Sequence, residues 1–233
     1  MSFAVPMMFL LVTKGASVFY TAPPFERPDS GLVRRFLDVE VASLGHVTDF
    51  GFPRGLRRVA GTKPFAGVAL TVHMPHVDST AVHRALSLVQ PGDVVVVDQS
   101  GDELRSSFGG TVAAVAQHKG AVAAIVDGST NDVGEISELD FPVYSRGATP
   151  LTSRIQRLEG EIGVPVSVGG VAVCSGDIVF GDADGVAVVP QRRALQMIER
   201  LEAMEERMAR NDWLGQALRD EREFAELSGA DHD

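Results

Sequence analysis

Cysteine is nearly absent from this chain of 233 residues, which contains only Cys174. A single cysteine excludes an intrachain disulfide, and such a low count is typical of a reducing compartment, so we expect a cytoplasmic protein. Cys174 lies between an apolar stretch and a Gly-Asp turn. We therefore expect it to be a small buried hydrophobic residue rather than a reactive thiol.

Long apolar runs and an excess of positive charge are also lacking. The apolar run of residues 3–12 is about half as long as a membrane span. No Lys or Arg precedes it and no clear cleavage site follows, so we expect neither a membrane anchor nor a secretory signal. The formal net charge of −10, from 31 acidic and 21 basic residues, argues against a nucleic-acid partner.

The composition is that of a globular protein with one full core, since 45% of the residues are hydrophobic and 22% are charged. No linker-like tract interrupts the middle of the chain. We predict an N-terminal extension (1–30) that packs on the body or on a neighbouring subunit, one α/β domain (31–190) and a C-terminal helical segment (191–233). That last segment has a stripe of Leu195, Ile198, Leu201, Met204 and Met208, which indicates an amphipathic helix.

The hydrophobic pattern predicts a mixed α/β layered sheet. Short β-branched runs separated by glycine predict strands at residues 66–74, 93–98, 123–127, 142–147, 164–173, 177–182 and 185–190. Apolar residues at helical spacing predict helices within residues 31–50, 79–89, 107–120 and 151–160. Where strands alternate with helices we expect parallel crossovers, and the last three strands leave room only for antiparallel pairing.

Two features of the sequence point to a ligand site. A helix is predicted to begin near Gly109 and Gly110, so the backbone N–H groups of Gly109–Val112 lie at its positive end, where they can bind a carboxylate or phosphate. The next strand ends at Asp127 and leads to Asp132. If the two strands are neighbours, Asp132 faces these amides and offers the oxygen ligand that Mg²⁺ or Mn²⁺ prefers.

Both features have a purely structural alternative. A Gly-Gly pair at a helix start also serves tight packing, and the "GSTND" segment can be an ordinary polar turn that closes a buried strand. Asp177, Asp182 and Asp184 lie in Gly-Asp turns, and we interpret them as turn residues rather than catalytic acids.

Four blocks in this order resemble a known family: "PGDVVVVD" (91–98), "FGGTVAAVAQHKGAVAAIVDG" (108–128), "GGVAVCSGD" (169–177) and "DADGVAVVP" (182–190). Together they resemble the RraA-like family, which joins regulators of ribonuclease activity A to class II 4-hydroxy-4-methyl-2-oxoglutarate aldolases. The resemblance implies a β/β/α swivelling-domain-like fold and homotrimers or hexamers with sites between subunits. For aldolase members it implies Mg²⁺ or Mn²⁺, a small 2-oxo acid substrate and pyruvate as product.

In those aldolases the strand-end motif is Asp-Gly-x-x-Arg-Asp, and an acid stands at the helix start 21 positions before the arginine. By resemblance, Asp132 is the metal ligand and Gly109, Gly110, Thr111 and Val112 bind the substrate. Asn131 takes the place of the arginine and Gly110 that of the acid. An asparagine offers one neutral donor group, whereas a guanidinium carries a permanent charge and can bind two oxygens at once. Losing one such stabilising donor typically lowers the reaction rate about 10²–10³-fold.

Other charged residues near these loops are candidates for the missing roles. Arg105 is a candidate for the guanidinium, Glu103 or Asp102 for the carboxylate, and His76, near Asp78, for an imidazole at the mouth of the site. Each of them has the alternative of a solvated loop residue.

Three functional hypotheses follow. The first is a divalent-metal-dependent carbon–carbon lyase, an aldolase or decarboxylase, whose substrate or reaction has diverged from that of the usual family aldolase. The second is a non-catalytic binding protein that regulates a ribonuclease or another enzyme. The third is a metal-independent biosynthetic enzyme.

Overall fold

The computed structural model describes residues 18–210 and Gly215, so the apolar run of residues 3–12 and most of the chain after residue 210 lie outside the described part. The strands are β1 (Val18–Thr21), β2 (Arg57–Ala60), β3 (Phe65–His73), β4 (Asp93–Phe108), β5 (Ala123–Thr130), β6 (Val143–Ala148), β7 (Glu159–Ile162), β8 (Val166–Val168), β9 (Val171–Val173), β10 (Ile178–Gly181) and β11 (Val186–Val189). The α-helices are α1 (Ser30–Arg35), α2 (Val41–Gly45), α3 (Thr80–Ala85), α4 (Gly110–His118), α5 (Val133–Glu138) and α6 (Ala194–Arg210).

The centre of the fold is a block of four adjacent parallel strands, β3, β4, β5 and β6, linked by α3, α4 and α5. The predicted parallel crossovers are therefore confirmed. Along β4, Val95 and Val97 pack towards the helices while Val94 and Val96 pack on the opposite face. Both faces of the strand are buried, which explains its continuous run of valines.

Antiparallel strands complete the sheet at its edges. β10 pairs antiparallel with the first half of β3 and with β11. β7 pairs antiparallel with the last residues of β3 and parallel with β1. The predicted antiparallel pairing is confirmed for the runs 177–182 and 185–190, which form β10 and β11, but the run 164–173 belongs to a separate two-stranded sheet. The run 164–173 differs from the expected single strand, because Gly169 and Gly170, at φ 55° and 81°, turn it into the β8–β9 hairpin.

The β8–β9 hairpin forms a third layer on the sheet face opposite α3–α5, which gives the β/β/α arrangement expected from the sequence. Two carboxylates at paired positions of β4 and β5 hold it in place: Asp98 accepts from the Ser167 N–H at 3.1 Å and Asp127 from the Gly169 N–H at 2.8 Å. Arg146 Nε lies 2.5 Å from the second oxygen of Asp127. These two acids, which lie within β4 and β5, thus support the fold.

The helix predicted within residues 151–160 is wrong, because this segment is extended up to the start of β7. Its backbone groups bond to other strands and loops instead of to each other. The Ser153 N–H donates to Ser106 O, and the Ser79 N–H donates to Arg154 O. The carboxylate of Asp78 accepts from the N–H groups of Gln156 and Leu158 at 2.9 and 2.6 Å. Tertiary hydrogen bonds override the local helical spacing.

Three further expectations need correction. Residues 31–50 form two short helices, because the chain is broken between α1 and α2. In α6 the buried stripe is Ala194, Ile198 and Leu201, whereas Leu195 and Met208 are exposed. The predicted loop between residues 98 and 107 is part of β4, since that strand continues to Phe108 with several register shifts against β5.

Cys174 is exposed, not buried as expected. It lies in the turn between β9 and β10, where its backbone N–H donates to Asp177. Partial desolvation, and then the negative charge of Asp177, raise the pKa of its thiol. Because a raised pKa lowers the thiolate fraction, the expectation of an unreactive cysteine is supported by chemistry rather than by burial.

Asp78 provides a prediction about acid stability. It is fully buried, and although burial alone raises its pKa, hydrogen bonds from Thr80, Gln156 and Leu158 lower the value to about 2. A carboxyl with a depressed pKa stabilises the fold above its unfolded pKa of about 4 and loses this contribution as the pH falls towards 2. We expect Asp78→Asn to lower the free energy of unfolding by about 2–3 kcal/mol at pH 7.

The difference between this variant and the wild type should shrink as the pH falls from 4 to 2, because protonation neutralises the wild-type carboxyl. Urea unfolding at pH 7 and at pH 3 measures it. A constant difference at both values would contradict the assigned role of the Asp78 charge.

Among the residues that the structure describes, no helix is both long and apolar enough to cross a membrane.

Candidate active site

The ends of two neighbouring strands bring Asp132 to the start of α4. Phe108, the last residue of β4, is paired with Thr130, the last residue of β5, and the Asn131 N–H donates to Phe108 O at 3.3 Å. α4 begins two residues after Phe108 and α5 begins directly after Asp132. The proximity predicted from the order of strands therefore occurs in the structure.

Asp132 has a left-handed backbone, with φ 53° and ψ 38°. Aspartate and asparagine tolerate this conformation better than other residues with a side chain. Its carboxylate does not cap its own helix α5. Instead, Oδ2 accepts from the Gly110 N–H at 3.1 Å, so the negative charge lies at the positive end of α4.

Glycine at positions 109 and 110 allows this close approach. A Cβ atom at Gly109 would lie 2.6 Å from Asn131 Oδ1 and 2.8 Å from Asp132 Oδ2. A Cβ atom at Gly110 would overlap Oε2 of Glu135. Glycine at both positions thus leaves room for the acidic and amide side chains that lie over the helix start.

Asn131 is held by a hydrogen bond from the hydroxyl of Ser106, which donates to its Oδ1 at 2.8 Å. Ser106 is buried, and the extended segment 151–153 is bonded to its backbone. Because Oδ1 is engaged, the Nδ2 group of Asn131 is the part of the amide that can donate to a ligand.

Fewer backbone amides than predicted are available to bind an anion at the start of α4. Of its four amides, the Gly110 N–H is already bonded to Asp132. Position in the first turn leaves the Thr111 and Val112 N–H groups without an acceptor within the helix. Asn131 and Asp132 line an open depression of about 390 Å³, together with Val133, Ala148, Thr149 and Pro150.

The other charged candidates do not join this group. Glu103 is exposed, and its backbone oxygen accepts from Ser129. The backbone oxygen of Arg105 accepts from Gln99, and no hydrogen bond or ion pair within residues 18–210 links the Arg105 side chain to residues 109–112 or 131–132. His76 is exposed, and Asp102 accepts from the Leu104 N–H in its own turn.

The aspartates of the Gly-Asp turns have structural partners. Asp177 accepts from the N–H groups of Cys174 and Gln191. Asp182 accepts from the N–H of Val41, the first residue of α2, and from that of Asp184. These contacts agree with the interpretation of Asp177 and Asp182 as turn and helix-start acids.

Glu135 is the residue that the sequence analysis missed. It lies in the first turn of α5, and its Cβ and Cδ atoms are both 3.1 Å from the position of a Cβ at Gly110. The signal in the sequence is its spacing from Asp132. Glu135 follows this cap residue by three positions, and residues three apart lie on the same side of a helix.

The donor atoms at this site are carboxylate and amide oxygens, the type of ligand that Mg²⁺ prefers. Within the described residues, no group of three or more His, Cys, Asp or Glu side chains is positioned to hold a metal ion. The carboxylate that lines the depression is that of Asp132. Mg²⁺ typically takes one or two protein carboxylates and completes its shell with water and substrate oxygens.

A larger cavity of about 620 Å³ lies elsewhere, between α2, the β8–β9 turn, β11 and the start of α6. Its lining is largely apolar, with Asp49, Arg54 and Arg193 as its charged residues. None of the candidate site residues lines it, whereas Asn131 and Asp132 line the smaller depression, which is therefore the candidate site.

Comparison with known proteins agrees with this architecture. The RraA-like family, described as Aldolase/RraA, matches residues 40–188. A Halalkalibacterium halodurans protein with the provisional name 4-hydroxy-4-methyl-2-oxoglutarate aldolase is 37% identical over 134 residues, which are 58% of this chain. A Thermus thermophilus protein named 4-hydroxy-4-methyl-2-oxoglutarate aldolase is 30% identical over 139 residues, 60% of this chain and 84% of that protein.

Among solved structures, Streptomyces coelicolor RraAS2, described as an unusual member of the RNase ES inhibitor RraA protein family, superposes with a TM-score of 0.70 at 31% identity. The superposition covers 80% of this chain and 99% of RraAS2. The chain belongs to the RraA-like family. The alignment of this chain with the Halalkalibacterium halodurans protein covers 63% of that protein's length.

Proposed function

We propose that this protein is a divalent-metal-dependent carbon–carbon lyase, an aldolase or decarboxylase, that acts on a small 2-oxo acid. The observation that carries the proposal is the carboxylate of Asp132 at the first turn of α4, beside helix amides that have no acceptor within the helix. The aldolase names of relatives in this family support the same class of reaction.

The residues have distinct roles in this proposal. The Thr111 and Val112 N–H groups bind the substrate carboxylate, because they lie at the positive end of a nine-residue helix. Asp132 would hold Mg²⁺ or Mn²⁺. When bound, the cation supplies Lewis-acid polarisation of the 2-oxo group.

Asn131 performs part of the role of a cationic side chain, which is to donate hydrogen bonds to the substrate. Its Nδ2 group donates a hydrogen bond to a substrate oxygen, while Ser106 keeps the amide in place. A neutral donor stabilises developing enolate charge less than a guanidinium does. We therefore propose that substrate or reaction has diverged from that of the usual family aldolase.

The chemistry breaks the bond between C3 and C4, one carbon removed from the 2-oxo group. The electron pair of that bond becomes a pyruvate-type enolate, and a proton from water then converts the enolate to the keto product. In a decarboxylation the leaving group is CO₂. In an aldol cleavage it is an aldehyde or ketone, and the hydroxyl group at C4 gives its proton to water as that carbonyl forms.

Exposed apolar side chains near the site support subunit contacts. Leu104, Leu151, Ile155 and Leu158 are between 42% and 59% exposed, on β4 and the extended segment that follows β6. We propose a cytoplasmic homotrimer or hexamer in which these residues meet a neighbouring subunit.

A panel of 2-oxo acids tests the proposal. It should include oxaloacetate and several 4-hydroxy-2-oxo acids, each assayed with Mg²⁺, with Mn²⁺ and with a chelator, and pyruvate should be measured as the product. We expect turnover of at least one substrate that the chelator removes. The absence of metal-dependent turnover across the panel would contradict the lyase assignment.

The replacement of an expected cationic residue by Asn131 also favours a second candidate, a non-catalytic regulator that binds a ribonuclease or another enzyme. RraAS2, an RNase ES inhibitor family member by its description, has a similar fold. Cation binding separates the two candidates, because a regulator has no need of a metal at Asp132. Titration calorimetry with Mn²⁺ should therefore show binding only if the lyase proposal holds.

A further inference from the structure

The larger cavity, of about 620 Å³, is a separate place on the molecule, because it shares no lining residue with the depression at Asp132. Three of its apolar lining residues are almost completely buried, with exposures of 1%, 4% and 2% for Leu44, Val188 and Val189. The ring of Phe50, which also lines it, is 78% exposed. A concave, largely apolar space of this volume is typical of sites that bind a small organic molecule.

Backbone hydrogen bonds fix the walls of this cavity. The Val188 N–H donates to Gly51 O at 2.8 Å, and the Arg54 N–H donates to Gly169 O at 2.9 Å. Residues 51–54 are thereby joined both to β11 and to the β8–β9 turn. Gly51 has φ 94°, and a Cβ atom at this position would overlap the carbonyl oxygen of Val188. Because the walls are already in place, a ligand can bind at a low cost in conformational entropy.

Two arginines that line the cavity have no partner for their charge. In the described part of the chain, neither the Arg54 nor the Arg193 guanidinium forms a hydrogen bond or an ion pair, although the whole chain has a formal net charge of −10. Asp49 also lines the cavity, but its carboxylate is not paired with either of them. A guanidinium can donate two parallel hydrogen bonds to a carboxylate, so these side chains favour an anion.

We propose that this cavity binds a small aromatic carboxylate. The aromatic part of the ligand packs on the apolar wall, where Phe50 and Phe52 offer rings for tilted or offset contacts. Arg54 and Arg193 donate hydrogen bonds to its carboxylate. Since the cavity is distinct from the depression at Asp132, the inference is independent of the proposed lyase activity.

Titration of the full chain with naphthylacetate and with its uncharged amide, naphthylacetamide, tests the inference. Calorimetry or ligand-observed NMR measures both affinities. We expect saturable binding of the acid and at least about 10-fold weaker binding of the amide, which lacks the charge-assisted hydrogen bonds. Arg54→Gln and Arg193→Gln should each weaken binding of the acid about 10-fold and leave that of the amide unchanged. Arg192→Gln is the matched control, because it removes an exposed neighbouring arginine that does not line the cavity.

A further variant tests the apolar part of the site. Ala172 lines the cavity and is exposed, so Ala172→Phe places a ring in the space without changing the core. This variant should bind neither the acid nor the amide. Thermal unfolding of each variant checks that the fold is retained.

Three results would overturn the inference, whether or not oxo acids are turned over. The first is the absence of saturable binding of naphthylacetate to the wild type. The second is an affinity for the acid in Arg54→Gln and Arg193→Gln equal to that in Arg192→Gln. The third is unchanged binding in Ala172→Phe, which would place the ligand elsewhere on the protein.

Discussion

Replacing Asp132 with asparagine is expected to reduce kcat/KM for oxo-acid cleavage about 1,000-fold, which corresponds to about 4 kcal/mol of lost transition-state stabilisation. Asparagine keeps an oxygen that can accept from the Gly110 N–H at the distance of 3.1 Å seen for Asp132. It also tolerates the left-handed backbone at this position. The substitution therefore removes the negative charge while it preserves the local structure.

The alternative role of Asp132 is that of a cap for α4, because the N-cap residue Gly109 has no side chain to perform it. A cap function survives in Asp132→Asn, whereas a metal-ligand function does not. We expect an unchanged melting temperature together with the loss of turnover and of Mn²⁺ binding. Asp184→Asn, which removes an exposed acid from a distant turn, is the matched control and should retain full activity.

Full activity in the Asp132 variant would show that the residue is only a structural acid. A large loss of stability with proportionally reduced activity would lead to the same conclusion. Initial-rate kinetics with saturating Mg²⁺, combined with a thermal melt of the same preparation, distinguishes these results.

Replacing Arg27 with alanine is expected to lower the free energy of unfolding by about 3–5 kcal/mol. The guanidinium of Arg27 forms two hydrogen bonds with Asp93, at 2.5 and 3.1 Å, and the Asp93 side chain is completely buried at the start of β4. Removing the arginine leaves a buried carboxylate whose remaining partner is the Gln90 N–H at 2.8 Å. This pair also ties the segment before α1 to the central sheet.

A matched control is the exposed ion pair of Lys63 with Asp140, at 3.1 Å, in which the lysine side chain is 69% exposed. Lys63→Ala should cost less than about 1 kcal/mol because solvent screens the pair. The double variant Arg27→Ala/Asp93→Asn should recover part of the loss, since it no longer buries an unpaired charge. Equal costs for the two single variants, measured by urea unfolding, would contradict the importance of the buried pair.

The fold was predictable from the sequence where hydrophobic periodicity and chain connectivity act together. The valine run of β4 and the helical spacing between strands specify parallel crossovers, and the closely spaced late strands can pair only antiparallel. The segment 151–158 could not be predicted in this way, because its conformation depends on hydrogen bonds to Asp78 and Ser106, which are distant in sequence. Local spacing does not contain that information.

The site was predictable only in part. The approach of Asp132 to the start of α4 follows from adjacent strand ends, a general property of parallel sheets. The position of Glu135 does not, because it depends on how α5 crosses the first turn of α4. Arg105 and Glu103 were plausible by proximity in sequence, but β4 continues through both positions, so neither lies in a free loop before the helix.

The central claim is that Asp132 and the start of α4 bind a cation and an oxo acid so that an enolate can form. Exchange of the pyruvate methyl protons with D₂O, followed by proton NMR, measures enolate formation directly and does not require knowledge of the natural substrate. We predict exchange that needs both the protein and Mg²⁺ or Mn²⁺ and that is lost in Asp132→Asn. Exchange at the same rate in the variant, or no exchange above the metal-only background with the wild type, would contradict the claim.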